Sequence, residues 1–306
     1  MLLSIVIPVM NEAGNIIALY EKLKSVLAKI NHEIIYVDDG GTDDTPNIIA
    51  KLQKRDNKIR LVQFRRNFGK SAALAAGFRN AEGSVIITMD GDLQDDPSDI
   101  PKLLKRIDDG FDLVVGWKQK KYKWYELKLI PSKIFNLLTS MLTGVRLHDI
   151  DCPFKAFRRE VTNGLSIYGE LYRYIPVLVH QKGFKVTEVE VKNLPRKYGK
   201  SKFGTDRLVK GFLDLITVFF LTRFKKRPSH FFGSLGLFLL MLGVVLGIYL
   251  AIKRFIFGVL IVKEAYIMLA VLFVILGVQF ISTGLIGEML INNRDREEEY
   301  CVVKKK

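Results

Sequence analysis

The sequence predicts an α/β domain built on a parallel sheet, followed by a pair of membrane-spanning helices. Three observations lead there. Apolar strand-like runs alternate with helix-like stretches roughly every 25 to 30 residues, the period of βαβ units. Two of the strands end in close carboxylates, Asp38-Asp39 and Asp90-Gly91-Asp92. Near the carboxyl end, Phe231–Ile252 and Ala265–Gly287 hold no charged residue, and each is long enough to cross ~30 Å of hydrocarbon.

Leu2-Leu-Ser-Ile-Val-Ile-Pro-Val9 reads as the first strand. Asn11 is placed to cap the helix that follows, in which Ile16, Leu19, Leu23, Leu27 and Ile30 recur at helical spacing. Glu33–Val37 is the second strand and runs into an acidic turn, Asp38 to Thr45. A short helix and a strand at Ile59–Phe64 follow, then a helix over Lys70–Ala81. Val85–Met89 is too short for a helix and rich in β-branched residues, so it reads as a strand buried on both faces. Asp112–Gly116 adds another strand.

The end of the Val85 strand carries the chemistry. In extended chain, side chains at i and i+2 point the same way, so Asp90 and Asp92 converge. Gly91 between them admits backbone or ligand closely. Two such carboxylates repel unless a cation joins them, and hard oxygen donors suit Mg²⁺ or Mn²⁺. Mg²⁺ takes one or two carboxylates and fills its shell with substrate phosphate, so the stretch reads as a metal–diphosphate site. A dinucleotide enzyme would need Gly-x-Gly-x-x-Gly after the first strand; Pro8-Val-Met-Asn-Glu12 stands there instead.

The chain has 306 residues, is 49% hydrophobic and carries a formal charge of +15. The charge is local: Lys118 to Lys133, Arg196 to Lys210, and Arg223 to Arg227 directly before the first span. Basic residues beside spans mark the cytoplasmic side and attract anionic lipid. No zinc spacing, RNP motif or basic helix–turn–helix accompanies them, so nucleic acid is not the expected partner. Cys152 and Cys301 make no pattern, which fits a reducing compartment.

Four motifs, in this order and spacing, resemble the family 2 glycosyltransferases of GT-A fold. They are Ile7-Pro8-Val9-x-Asn11-Glu12, Val37-Asp38-Asp39-Gly40-x-Thr42-Asp43-x-Thr45, Arg66-Asn67-Phe68-Gly69-Lys70 and Asp90-Gly91-Asp92-Leu93-Gln94-Asp95-x-Pro97. Gly41 departs from the serine usual there, which puts one turn hydrogen bond in question. His148-Asp149-x-Asp151-Cys-x-Phe154-Lys-x-Phe157-Arg158, Arg173-Tyr-Ile-Pro176 and Arg196-Lys-Tyr-Gly-Lys200-Ser201-Lys202-Phe-Gly204 look like the polyisoprenyl-phosphate branch, which includes dolichol-phosphate mannose synthases and bactoprenol glucosyltransferases. The processive synthases carry Gln-x-x-Arg-Trp and more spans, and this chain has neither.

The resemblance implies a donor site of Pro8, Glu12, Asp38 and Asp39 at the nucleobase, and Asp90 with Gly91 on the ribose side. Asp92 and Gln94 would hold the metal, Mg²⁺ or Mn²⁺. Lys70 has two readings, a nucleotide or diphosphate contact or a solvated lysine at a helix start. Asp149 and Asp151 either orient the sugar and assist proton transfer or form salt bridges with a neighbouring arginine. Lys118, Lys128, Ser132, Arg196 and Lys200 are candidates to dock the acceptor phosphate. The implied reaction moves one sugar from a nucleotide sugar to polyisoprenyl phosphate with inversion. UDP-glucose is the first donor and GDP-mannose the alternative; a non-catalytic nucleotide-sugar or lipid-binding module is the other alternative.

The expected layout is a cytosolic catalytic domain over residues 1–206 and a basic linker with an amphipathic helix over 207–228. Two spans within 229–291 and a cytosolic tail over 292–306 complete it. A second amphipathic stretch, Pro131–Leu142, suits the bilayer interface or packing against the sheet. Both termini are expected in the cytoplasm. Gly233, Gly236, Gly243 and Gly247 permit close helix packing, and so allow a homo-oligomer.

Overall fold

The computed structural model describes residues 1–118, 144–195, 217, 220, 224, 227–258 and 265–292. They divide into a sheet domain and a helical hairpin, each described by itself.

The sheet domain has seven strands: β1 (Leu3–Val9), β2 (His32–Asp38), β3 (Ile59–Gln63), β4 (Val85–Thr88), β5 (Leu113–Lys118), β6 (Lys155–Arg158) and β7 (Val186–Val191). Their order is β3-β2-β1-β4-β6-β5-β7. β1, β2 and β4 are buried along their whole length except for half-buried Pro8, as expected of apolar runs covered on both faces. The helices are α1 (Ala13–Val26), α2 (Thr45–Gln53), α3 (Lys70–Asn80), α4 (Ile100–Asp108), α5 (Arg159–Asn163) and α6 (Ile175–Gln181). Ile16, Leu19, Leu23 and Leu27, the stripe expected on and just beyond the first helix, are all fully buried.

The sheet is mixed, which corrects the all-parallel expectation. β6 runs antiparallel to both neighbours, with Thr88 opposite Lys155 on one side and Leu113 opposite Phe157 on the other. The remaining neighbours are parallel. β6 was hidden because it is four residues long and follows Pro153, whose ring gives no ladder donor.

Asn11 is a second correction. It does not cap α1, whose N-cap is Glu12. Its backbone turns to φ 54°, and its Oδ1 accepts the N–H of Thr42 at 2.7 Å and of Asp43 at 3.3 Å. A short polar side chain tolerates this left-handed geometry and here closes the turn after β2. Gly41 donates to Asp38 Oδ1 at 3.1 Å. A Cβ there would lie 2.8 Å from that oxygen and 3.1 Å from Asn11 Oδ1, so the turn uses the space a serine would fill.

The hairpin consists of α7 (Pro228–Phe255) and α8 (Ala265–Asn292), 28 residues each and so about 42 Å long. They touch through small residues. A Cβ on Gly277 would sit 2.7 Å from Leu240 N and 2.8 Å from Gly236 O, and one on Gly243 2.8 Å from Val274 N. Gly233 and Gly247 have no such neighbour within 4 Å. At one end Ser229 Oγ donates to Glu288 at 2.6 Å. The outer flanks leave large apolar side chains such as Phe238, Met241, Val245 and Ile275 exposed, as a lipid-facing pair would.

Candidate active site

β1 lies between β2 and β4, so the chain reverses its direction of travel across the sheet at that point. Ligands of open α/β sheets bind outside the carboxyl ends of strands at such a switch. The carboxylates that end β2 and β4 flank Pro8 and Val9 there.

On the β2 side, Asp38 and Asp39 are both buried. Burial pushes the Asp38 carboxyl pKa up, and the charges of Asp43 and Asp39 add to this against the Gly41 N–H. Asp39 Oδ1 accepts from Phe68 N at 2.7 Å and Oδ2 from Gly69 N at 3.0 Å, while its own N–H donates to Val9 O at 2.9 Å. Asp39 thus fastens the Arg66–Lys70 loop to the end of β1. Glu12 Oε2 accepts from Asn15 Nδ2 at 2.6 Å, and the Glu12 N–H donates to Thr45 Oγ1 at 2.9 Å.

On the β4 side, the strand passes into a tight turn. A Cβ on Gly91 would lie 2.8 Å from Val9 Cγ1, so only glycine lets the turn close on β1. The Asp90 N–H donates to Asp95 Oδ2 at 2.9 Å, and the Gln94 N–H to Asp92 Oδ1 at 3.1 Å. Leu93 between them stands at φ 65°, a strained conformation for a branched residue. The far side of the turn is tied down by Leu194 N donating to Gln94 O at 3.0 Å.

Three lysines act on Asp90 of this turn, and a further cation, Arg173, shares the Tyr172 ring with Lys70. Lys70, the first residue of α3, places Nζ 2.5 Å from Asp90 Oδ1 and 5.3 Å from the Tyr172 ring centre. Burial alone would lower the Lys70 pKa, but Asp90 outweighs it and raises it. Burial likewise opposes ionisation of Asp90, and Lys70 overcomes it, holding that carboxyl below the usual range. Lys70 is therefore not a solvated helix-start lysine. Lys118 Nζ lies 2.6 Å from Asp95 Oδ1, with Asp95 fully buried. Arg173 reaches Asp151 at 3.7 Å and Glu170 at 2.9 Å, which realises the salt-bridge reading of Asp151. Lys155 is the third of the lysines. Asp149 is half-buried one turn before it, and its carbonyl accepts from Cys152 N at 3.5 Å.

Pro8, Lys70, Thr88, Asp90, Lys155 and Tyr172 line one cleft at the end of β4. Lys155, Tyr172 and Arg173 had no role assigned from sequence. A lysine inside Phe154-Lys155-Ala156-Phe157 was the available signal, because a charge in an apolar strand is retained for a partner. Lys128, Ser132, Arg196 and Lys200 lie outside the described residues, as do both proposed amphipathic stretches apart from isolated positions.

Asp90, Asp92 and the Gln94 amide offer oxygen donors alone. Among the described residues no cluster of three or more His, Cys, Asp or Glu exists. One or two carboxylates completed by phosphate is how Mg²⁺ binds, so the donor set fits Mg²⁺ or Mn²⁺.

The model of "Glycosyl transferase family 2" matches residues 4–165. The chain belongs to glycosyltransferase family 2. It is 38% identical over 302 residues to the dodecaprenyl-phosphate galacturonate synthase of Rhizobium johnstonii, covering 97% of this chain and 89% of that one. It is 36% identical over 291 residues to the undecaprenyl-phosphate 4-deoxy-4-formamido-L-arabinose transferase of Pseudomonas syringae, covering 94% and 85%. Both names describe sugar attached to a polyprenyl phosphate. Among solved structures, glucosyl-3-phosphoglycerate synthase from Mycobacterium tuberculosis, in complex with Mn²⁺, UDP-glucose and phosphoglyceric acid, superposes with a TM-score of 0.54. That match has 19% identity and covers 71% of this chain and 78% of that one, which establishes the shared GT-A fold. The chain is accordingly a GT-A glycosyltransferase with two apolar carboxyl-terminal helices fit for membrane anchoring.

Proposed function

We propose that this glycosyltransferase moves one sugar from a UDP-sugar to a polyprenyl phosphate, with inversion, at the cytoplasmic face of a membrane. The observation that carries the reading is the Asp90–Gln94 turn with its paired cations, in a chain that also has two helices of spanning length. In this reading Pro8, Glu12, Asp38 and Asp39 face the nucleobase, directly or through the loop they hold. Asp90 and Gly91 lie along the ribose and diphosphate, and Asp92 with Gln94 holds Mg²⁺ or Mn²⁺. When bound, that cation supplies Lewis-acid stabilisation to the departing nucleoside diphosphate. Lys70 turns from Asp90 toward the diphosphate and adds its charge there.

A phosphate monoester has a second pKa near ~6, so the acceptor is already a dianionic nucleophile at neutral pH. What the protein supplies is alignment of one phosphate oxygen with the anomeric carbon. Arg196 and Lys200 are suited to this, because the chain enters that loop from Leu194, which is bonded to Gln94. Lys128 and Ser132 are the second pair of candidates. Lys118, held by Asp95, acts on the turn itself. Asp149 and Asp151 orient the sugar, Asp151 through Arg173.

The relatives' names carry galacturonate and 4-deoxy-4-formamido-arabinose, so sugars other than glucose stand beside it as candidates for the transferred group. The test is a donor screen with the full chain in detergent and undecaprenyl phosphate. UDP-glucose, UDP-galacturonate, the UDP-formamido-pentose and GDP-mannose are compared for glycolipid product. Product from one UDP-sugar is expected. Transfer to phosphoglyceric acid but never to a polyprenyl phosphate would overturn the proposal.

A further inference from the structure

Lys155 is 3% exposed and lines the cleft beside Asp90. Its ammonium donates to the neutral carbonyl of Cys152. Among the described residues no carboxylate forms a salt bridge with it, although Asp149 and Asp151 lie near enough to act on its charge. Asp90 pairs with Lys70, Asp95 with Lys118, and Asp151 with Arg173. Thr88, opposite Lys155 across the β4–β6 ladder, donates to Pro153 O at 2.8 Å and so fixes the loop that carries it. Burial pushes the Lys155 pKa down.

Asp151 and Asp149 favour the Lys155 charge through space and it in turn favours that of Asp90, but among the described residues its one close contact is a carbonyl, and burial outweighs those acids. Removing that ammonium would cost the fold little charge balance, so the position points to a ligand. A ligand there would be anionic and would lie in the cleft that Asp90 and Tyr172 also line. The diphosphate belongs with Asp92, Gln94 and Lys70. The sugar is the part of the donor that remains.

We propose that Lys155 is a specificity-determining residue that binds a carboxylate on the transferred sugar, so that the enzyme selects a UDP-uronic acid over the neutral UDP-hexose. This deepens the proposed function and rests on it. The carboxylate would take the place beside the Lys155 ammonium in which no acid stands among the described residues. A charge-assisted hydrogen bond in a desolvated cleft is among the stronger polar contacts a donor can make.

The experiment measures UDP-galacturonate, UDP-glucuronate, UDP-galactose and UDP-glucose by calorimetry on the full chain in detergent, without acceptor. It is repeated for Lys155→Met and Lys155→Arg. The wild type should bind a uronate at least about 10-fold more tightly than its neutral counterpart, equivalent to ~1.4 kcal/mol. Lys155→Met should erase that preference, costing uronate affinity about 10-fold more than hexose affinity, and Lys155→Arg should retain part of it. If Lys155→Met fails to fold, the wild-type preference and the Arg variant still decide. Equal affinity of the wild type for uronate and hexose would overturn the inference, as would an equal loss for both donors in Lys155→Met. A preference left intact in Lys155→Met, with a raised KM for undecaprenyl phosphate, would assign the anion to the acceptor and also overturn it. Because binding is read without turnover, these failures stay distinct from failure of glycolipid formation.

Discussion

Asp39→Asn tests whether the end of β2 builds the donor site by holding a loop. The carboxylate is buried and gives one oxygen to Phe68 N at 2.7 Å and the other to Gly69 N at 3.0 Å. In asparagine one of those oxygens becomes an NH₂ group facing an N–H, so one bond is lost and the other loses its charge. Hydrogen bonds to charged groups contribute ~1.5–3 kcal/mol each. The substitution should therefore cost about 2–3 kcal/mol in holding Phe68–Gly69 against β1, directly before Lys70 starts α3. At 1.4 kcal/mol per tenfold, donor affinity should fall roughly 30- to 140-fold. Gly40→Ala attacks the same contact sterically. Gly40 has φ +70°, and a Cβ would lie 2.3 Å from the Arg66 carbonyl carbon, a backbone atom that cannot rotate away. Both variants should lose UDP affinity by calorimetry, with a modest drop in Tm. Affinity within twofold of wild type in both, with Tm unchanged, would refute the view that this loop shapes the donor site.

Three further outcomes are expected. Asp92→Asn should lower turnover by orders of magnitude with folding intact, because the charge facing the divalent cation is gone; full activity of that variant in EDTA would contradict the assignment. In a Cys301→Ser background, native Cys152 should resist thiol reagents at pH 8 and label only on unfolding, since burial pushes its pKa up to about 12. That proton is held more tightly folded than unfolded, so this thiol's contribution to stability is intact below ~8.5 and declines as pH rises toward the folded value. Phe257→Cys, exposed two residues beyond α7, should label from outside the cell with an impermeant reagent in the proposed orientation, in which the basic Arg223–Arg227 and Arg294–Arg296 segments are cytoplasmic. Labelling only after the membrane is opened would reverse the orientation.

The parallel part of the sheet was legible because each strand is an apolar run buried on both faces, and burial on both faces is written directly into composition. β7 was not legible. Val186-Thr-Glu-Val-Glu-Val191 carries two glutamates among its valines, the composition of an edge strand, and among the described residues β7 pairs only with β5. The carboxylates were legible because Asp38, Asp39, Asp90 and Asp92 each follow a strand end. Their partners were not. Lys70 meets Asp90 only because α3 crosses over the sheet before β4 returns, and Lys118 meets Asp95 only because β5 lies two places from β4. Asn11 misled because a residue suited to capping a helix is equally suited to a left-handed turn, and local sequence does not choose between them.

The pairing of charges follows from the reaction. In the proposed reaction a nucleotide diphosphate and a lipid phosphate, both anions, must flank one anomeric carbon from opposite faces. Cations must therefore stand ready in a partly desolvated cleft, and a bare buried cation is unstable. The turn after β4 resolves this by giving Lys70 and Lys118 resident carboxylates, Asp90 and Asp95, on one short stretch of backbone. Each ion pair keeps its lysine charged without water, as the raised pKa of both ammonium groups indicates, once burial is outweighed by those carboxylates. In the proposed function an arriving diphosphate would compete with Asp90 for Lys70 and would not have to organise a mobile side chain, so less conformational entropy would be lost on binding. Lys155 departs from this pattern by lacking a salt bridge among the described residues. That exception is the reason its partner is sought in the substrate and not in the protein.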